Sequence, residues 1–138
     1  MWWRSQTGGR DRPSFAGGSA LSRYSKSAIW DIVVTKAAEK EIRTLPPDMQ
    51  ARFLRIGEML ARYGPLQVGM PYVRSLGRGL WEMRLTGRDG IARAIYFAAD
   101  RKQLVVVRAF VKKTQKTPLR EIELALRRMK DWKDGQEL

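Results

Sequence analysis

The chain of 138 residues contains no cysteine and no histidine. These two absences exclude a disulfide scaffold, a thiol nucleophile, a cysteine–histidine zinc cluster and the usual neutral-pH general base. Any chemistry must rest on Lys, Arg, Tyr, Asp, Glu or hydroxyl groups. Long apolar runs are missing too: none approaches the ~20 residues that a membrane span needs, and the first residues hold no hydrophobic stretch of a secretory signal. The expectation is a cytoplasmic protein with no membrane partner and no cofactor. Acids are scarce, 14 against 27 Lys and Arg, for a net charge of +13. Such an excess puts nucleic acid first among partners. The 43% of hydrophobic residues suffices for one modest core.

Residues 1–27 are rich in Gly, Ser and Arg and carry Trp2, Trp3 and Phe15 without a sustained period. They are expected to form a flexible basic leader, followed by one folded domain over 28–133 and a short tail, 134–138. Ile29 to Val34 is apolar and β-branched, the pattern of a strand. Thr35 then suits a helix cap, with Ala38, Ile42 and Leu45 on one helical face. Pro46-Pro47 ends that helix, and Pro47-Asp48 opens a second. Met49, Phe53, Ile56, Leu60 and Tyr63 give it an amphipathic stripe, and Gly64-Pro65 stops it.

Leu66 to Gly79 reads as a loop. Three strands follow, Leu80 to Thr86, Ile91 to Ala98 and Gln103 to Val111, joined by short polar turns. A last helix is expected to take Thr117 as cap and Pro118 as first residue, with Leu119, Ile122, Leu126 and Met129 as its buried stripe. The class is α+β: a small antiparallel sheet built as strand, two helices, three-stranded meander and C-terminal helix.

Charge concentrates on the meander. Between Tyr72 and Lys116 stand eleven Lys or Arg residues and three acids, Glu82, Asp89 and Asp100. If the first hairpin bends between Arg88 and Asp89, Trp81, Met83 and Leu85 face Tyr96, Ala94 and Ala92 across an apolar face that packs on the helices. A slip of one residue would turn that face outward, so the pattern favours this register. The other face sets Glu82 opposite Ile95 and Arg84 opposite Arg93. Like charges directly opposite are destabilising, and such broken local rules concentrate at functional sites. A similar count through the second turn brings Arg108 beside Arg93, unless a bulge in the third strand undoes it. Arg74, Arg78, Arg88, Lys112, Lys113 and Lys116 extend the charge. Guanidinium forks suit phosphate oxygens. The plain alternative is edge protection and solubility charge, with Glu82 pairing with Arg84. The shortage of acids argues against it.

The run Phe110-Val111-Lys112-Lys113-Thr114-Gln115-Lys116-Thr117-Pro118, with Leu80-Trp81-Glu82-Met83-Arg84 and Arg93-Ala94-Ile95-Tyr96 ahead of it, resembles the HigB-like, phage-derived branch of the RelE/ParE toxin superfamily. The resemblance spans roughly Ile29 to Trp132. It implies a small sheet with helices on one face and a concave basic face for RNA. RelE-type members belong to two-gene toxin–antitoxin modules and cut messenger RNA on the ribosome. Their antitoxin, in the HigB-like branch often a helix-turn-helix protein, neutralises them.

By position Arg93 matches the arginine that stabilises the scissile phosphate, Arg84 a lysine near the attacking hydroxyl, and Lys112 and Lys113 a basic pair. Arg74, Arg78, Arg88, Arg108 and Lys116 are then candidate RNA contacts. The chain departs from the pattern at three points. Glu82 replaces a lysine, Pro118 and Leu119 stand where a catalytic tyrosine is expected, and no histidine exists. Lys112, Lys113 or Glu82 is left as the base of a metal-independent endoribonuclease. Two rivals stay open: a ParE-like toxin that binds gyrase, and an RNA-binding relative without catalysis.

Overall fold

The computed structural model describes residues 4–5, 29–112 and 116–135. Along the chain run β1 (Arg4–Ser5), β2 (Asp31–Val34), α1 (Lys36–Arg43), α2 (Pro47–Tyr63), β3 (Val73–Gly77), β4 (Leu80–Gly87), β5 (Gly90–Ala99), β6 (Gln103–Lys112) and α3 (Leu119–Lys133). The strands form one sheet in the order β1-β2-β6-β5-β4-β3. The α+β class holds. Within it, β2 lies parallel to β6, so the sheet is mixed and not wholly antiparallel. The two helices between β2 and the meander reverse the chain and allow this pairing, which no tight turn could provide.

Two helix signals are confirmed directly. Thr35 accepts a hydrogen bond from the Ala38 amide at 3.2 Å, and α2 opens at Pro47 and closes at Gly64 with φ 84°. The first hairpin has the expected register throughout, including Trp81 opposite Tyr96 and Arg84 opposite Arg93. Ala92, Ala94, Tyr96, Met83 and Leu85 pack with Ile42, Met49, Phe53, Ile56 and Leu60 of α1 and α2 into one core.

Four expectations need correction. The loop Leu66–Gly79 contains strand β3, which pairs antiparallel with β4 and sets Arg74 opposite Glu82. Gly77 and Gly79 had disguised a short edge strand as a loop. The helices do not share one face: α3 packs on the opposite side, where Ile122, Leu126, Met129 and Trp132 cover Val33, Leu80, Ile95, Phe97, Val105 and Val107. Leu119 is 64% exposed and lies outside that stripe. Thr117 does not cap α3; Pro118 holds that position without a side-chain bond. Of the leader, Arg4–Ser5 pairs parallel with Val33–Val34, and 1–3, with Trp2 and Trp3, and 6–28 lie outside the described residues.

Candidate functional site: a carboxylate ringed by cations

β4 and β5 place Glu82, Arg84 and Arg93 on the face that α3 partly covers, and edge strand β3 adds Arg74. Opposite Ile91, the last residue of β6 adds Lys112. Alternation of side chains sends this set to one side of the sheet. Glu82 is fully buried. Its Oε2 accepts from Arg93 Nη1 at 3.0 Å and lies 3.2 Å from Arg74 Nη2, while its Oε1 accepts from the Thr117 hydroxyl at 2.5 Å. The partner of Glu82 is thus the diagonal Arg93, with Arg74, and not Arg84 as the sequence suggested.

Among the described residues, Glu82 is the carboxylate that pairs within this group of four cations. Arg93 is 1% exposed; burial lowers its pKa, Glu82 opposes that shift, and Arg84 and Arg74 reinforce it. Lys112 is 7% exposed, and among the described residues its ammonium has no hydrogen-bond partner. Burial depresses its pKa first, then Arg93; Glu82 counteracts and Arg74 adds. Arg84 is half-buried, and its Nε also lacks a partner. Among the described residues no ion pair reaches Arg84 or Lys112. Such a cluster offers donors to an anion, and its ammonium is biased toward the neutral amine a base requires.

The other expected residues are dispersed. Arg108 does not stand beside Arg93: a register shift between Ile95 and Tyr96 pairs Arg108 with Ile95 and leaves Val107 as the extra residue. There Arg108 binds Glu121 and Glu41, each at 2.7 Å. Glu41 also takes Arg128 at 3.0 Å and the Ala109 amide at 3.1 Å, and Arg128 donates to the Val107 carbonyl at 2.8 Å. Arg108 is therefore a bolt between α1 and α3 at the bulge. Arg78 and Arg88 occupy turns at opposite ends of β4, so they cannot share one site. Arg88 is exposed, 3.8 Å from Asp89, and its amide donates to Asp48. Lys116 is exposed beside Thr117, and Lys113 lies outside the described residues. Sequence reasoning missed Thr117 as a ligand of Glu82; its position before a proline disguised it as a cap.

Among the described residues no group of acids could hold a metal ion, and no helix is long and apolar enough to cross a membrane. The comparison with curated proteins yields no match. A chain of the archaeal RelE–RelB complex from Pyrococcus horikoshii OT3 is similar at 23% identity and TM-score 0.46, over 60% of this chain and 94% of that one. The family model described as phage-derived protein Gp49-like matches residues 40–130, which includes α2, the whole meander, the Lys112–Pro118 run and most of α3. The chain belongs to this family of phage-derived Gp49-like proteins.

Proposed function

We propose that this protein is the toxin of a two-gene toxin–antitoxin module and acts in the cytoplasm as a metal-independent endoribonuclease that cuts messenger RNA on the ribosome. A cognate antitoxin, a helix-turn-helix protein by the family resemblance, is its neutralising partner. One observation carries the reading: a buried Lys112 ammonium with no hydrogen-bond partner among the described residues, in a cluster where Arg74 and Arg93 share the single carboxylate of Glu82 and Arg84 has no ion pair with a described acid. A polyanion relieves that imbalance.

In the proposed reaction a ribose 2′-hydroxyl attacks the adjacent phosphate. Its proton passes to a base, the bond to the 5′ oxygen breaks, and that oxygen takes a proton from water as it leaves. The products are a cyclic phosphate and a 5′-hydroxyl. Lys112, with its depressed pKa, takes the role of base, and Lys113 is the alternative. Arg84 donates to the phosphate oxygens, where charge accumulates in the transition state. Arg93 contributes its charge from beneath and is held by Glu82. Glu82 itself, with both oxygens engaged, acts as a positioning residue for Arg93 and Arg74.

A second reading, an RNA-binding relative without catalysis, is favoured by the burial of Arg93, which is 1% exposed, and by the missing tyrosine. Brief expression in growing bacteria, followed by mapping of transcript 5′ ends, separates these readings. New 5′-hydroxyl ends inside translated regions, absent with Lys112→Met, are expected. Growth arrest with intact transcripts and DNA breaks would sink the nuclease reading in favour of a ParE-like gyrase toxin.

A further inference from the structure

Among the described residues, three non-glycine positions have positive φ: Arg78 at 57°, Arg101 at 62° and Lys102 at 55°. All three are basic and exposed. L-residues are disfavoured in this left-handed region, where Gly and Asn are the usual occupants. Arg78 sits between Gly77 and Gly79, at φ 84° and 86°. Arg101 and Lys102 are the last two residues of the three-residue β5–β6 loop Asp100–Lys102, and their positive φ likewise favours Asn or Gly. Backbone strain has been accepted at both turns in favour of a cation, and observed strain of this kind points to function.

The two turns share one end of the sheet. In an antiparallel meander alternate connections emerge together, so the β3–β4 and β5–β6 turns lie side by side, about two strand spacings or 10 Å apart. The β4–β5 turn with Arg88 is at the far end. Lys133 joins the near group: its ammonium stands 5.5 Å from the Phe97 ring, and Phe97 pairs with Leu80 next to the Arg78 turn. The acids at this end only partly offset the charge. Asp31, whose amide donates to the Lys102 carbonyl at 2.9 Å, is half-buried at the start of β2; Asp100 is exposed and makes no ion pair with a described cation, and Asp134 is taken by Lys130 at 3.0 Å. None of Arg78, Arg101 and Lys102 pairs with a described acid.

We propose that this end of the sheet, carried by Arg78, Arg101 and Lys102, is a second contact for the sugar–phosphate backbone of folded RNA, separate from the cluster around Glu82. The four residue steps from Leu80 to Arg84 put it about 13 Å from the Arg84–Arg93 pair. The proposal rests on the RNA-directed reading of that cluster and extends it. Cations fixed on tight turns grip regularly spaced phosphates without reading bases. The rim therefore docks the protein on structured RNA while the cluster engages the strand to be cut.

The turn geometry supplies the test. In the full chain, Arg78→Asn, Arg101→Asn and Lys102→Gly together remove three charges and install residues that these turns favour, so the melting temperature should hold or rise. Binding is read with a labelled, 2′-O-methylated RNA stem-loop, which cannot be cleaved, so failure of catalysis does not affect the result. The slope of log affinity against log salt should fall by about one per removed cation, roughly three in all, and affinity should drop at least tenfold. Lys36→Gln, Lys40→Gln and Arg127→Gln, exposed cations on helices, should leave that slope unchanged. An unaltered slope in the turn variant, or an equal loss in the helix variant, overturns the proposal. So does displacement of the RNA by poly-glutamate at equal charge, which would assign the rim to an acidic protein.

Discussion

The Thr117 hydroxyl donates to Glu82 Oε1, across 35 residues of sequence, and leaves the amide end of its own helix without a side-chain cap. The start of α3 is thereby tied to the carboxylate that holds Arg93 and Arg74. Arg108 ties the same helix one turn later, through Glu121. Helix position and cation geometry are therefore coupled, and changes at either end should be felt at the other.

Thr117→Val removes a hydrogen bond to a charged, buried acceptor, and the expected loss is about 1.5–3 kcal/mol of folding stability. Thr117→Ser should keep most of it. Urea denaturation of the three chains measures both. Equal stability of all three would mean that the contact contributes nothing.

Arg93→Ala should destabilise the protein by about 3–5 kcal/mol, because it leaves Glu82 buried with Arg74 as its remaining cation. A loss of toxicity in that variant would therefore reflect folding as much as chemistry. Glu82→Leu combined with Arg93→Leu should recover most of the stability and still be inactive. Recovery is read from the denaturation midpoint, and a double variant no more stable than Arg93→Ala contradicts the pairing.

Lys112 makes stability depend on pH in a definite direction. Its pKa in the folded protein lies below the unfolded value near 10.5. Below the folded pKa both states are protonated and the full burial penalty applies. As pH rises from the folded pKa towards 10.5 the unfolded chain binds more protons, so stability increases. Lys112→Met should raise stability at neutral pH, flatten that rise and weaken RNA binding. Melting curves across the alkaline range, compared with the parent chain, decide it.

Arg108→Leu should cost about 2–3 kcal/mol through its lost charged hydrogen bonds to Glu41 and Glu121, with RNA affinity unchanged. A double-mutant cycle with Glu121→Gln should show coupling between the two sites. A fall in RNA affinity without loss of stability would restore Arg108 to the binding surface.

Patterns of short range carried much of this protein. The stripe from Met49 to Leu60, the Thr35 cap, the proline start of α2 and the Arg84–Arg93 pairing follow from residue spacing, because helix and hairpin periodicity are local and one buried face fixes register. The Lys112–Pro118 run carried the family. Three features could not be read that way. The bulge at Val107 breaks the even count along β6 and turns Arg108 from a surface contact into a bolt. Gly77 and Gly79 hide β3, so Arg74 reaches Glu82 only once the edge strand forms. Thr117 looks like a cap until Glu82 competes for its hydroxyl. Sequence alone determined which residues are basic, which faces are apolar and which turns are tight. Tertiary structure alone decided which cations are neutralised, since ion pairing depends on distance through space and two acids far apart in the chain, Glu41 and Glu121, claimed an arginine that counting had assigned to RNA.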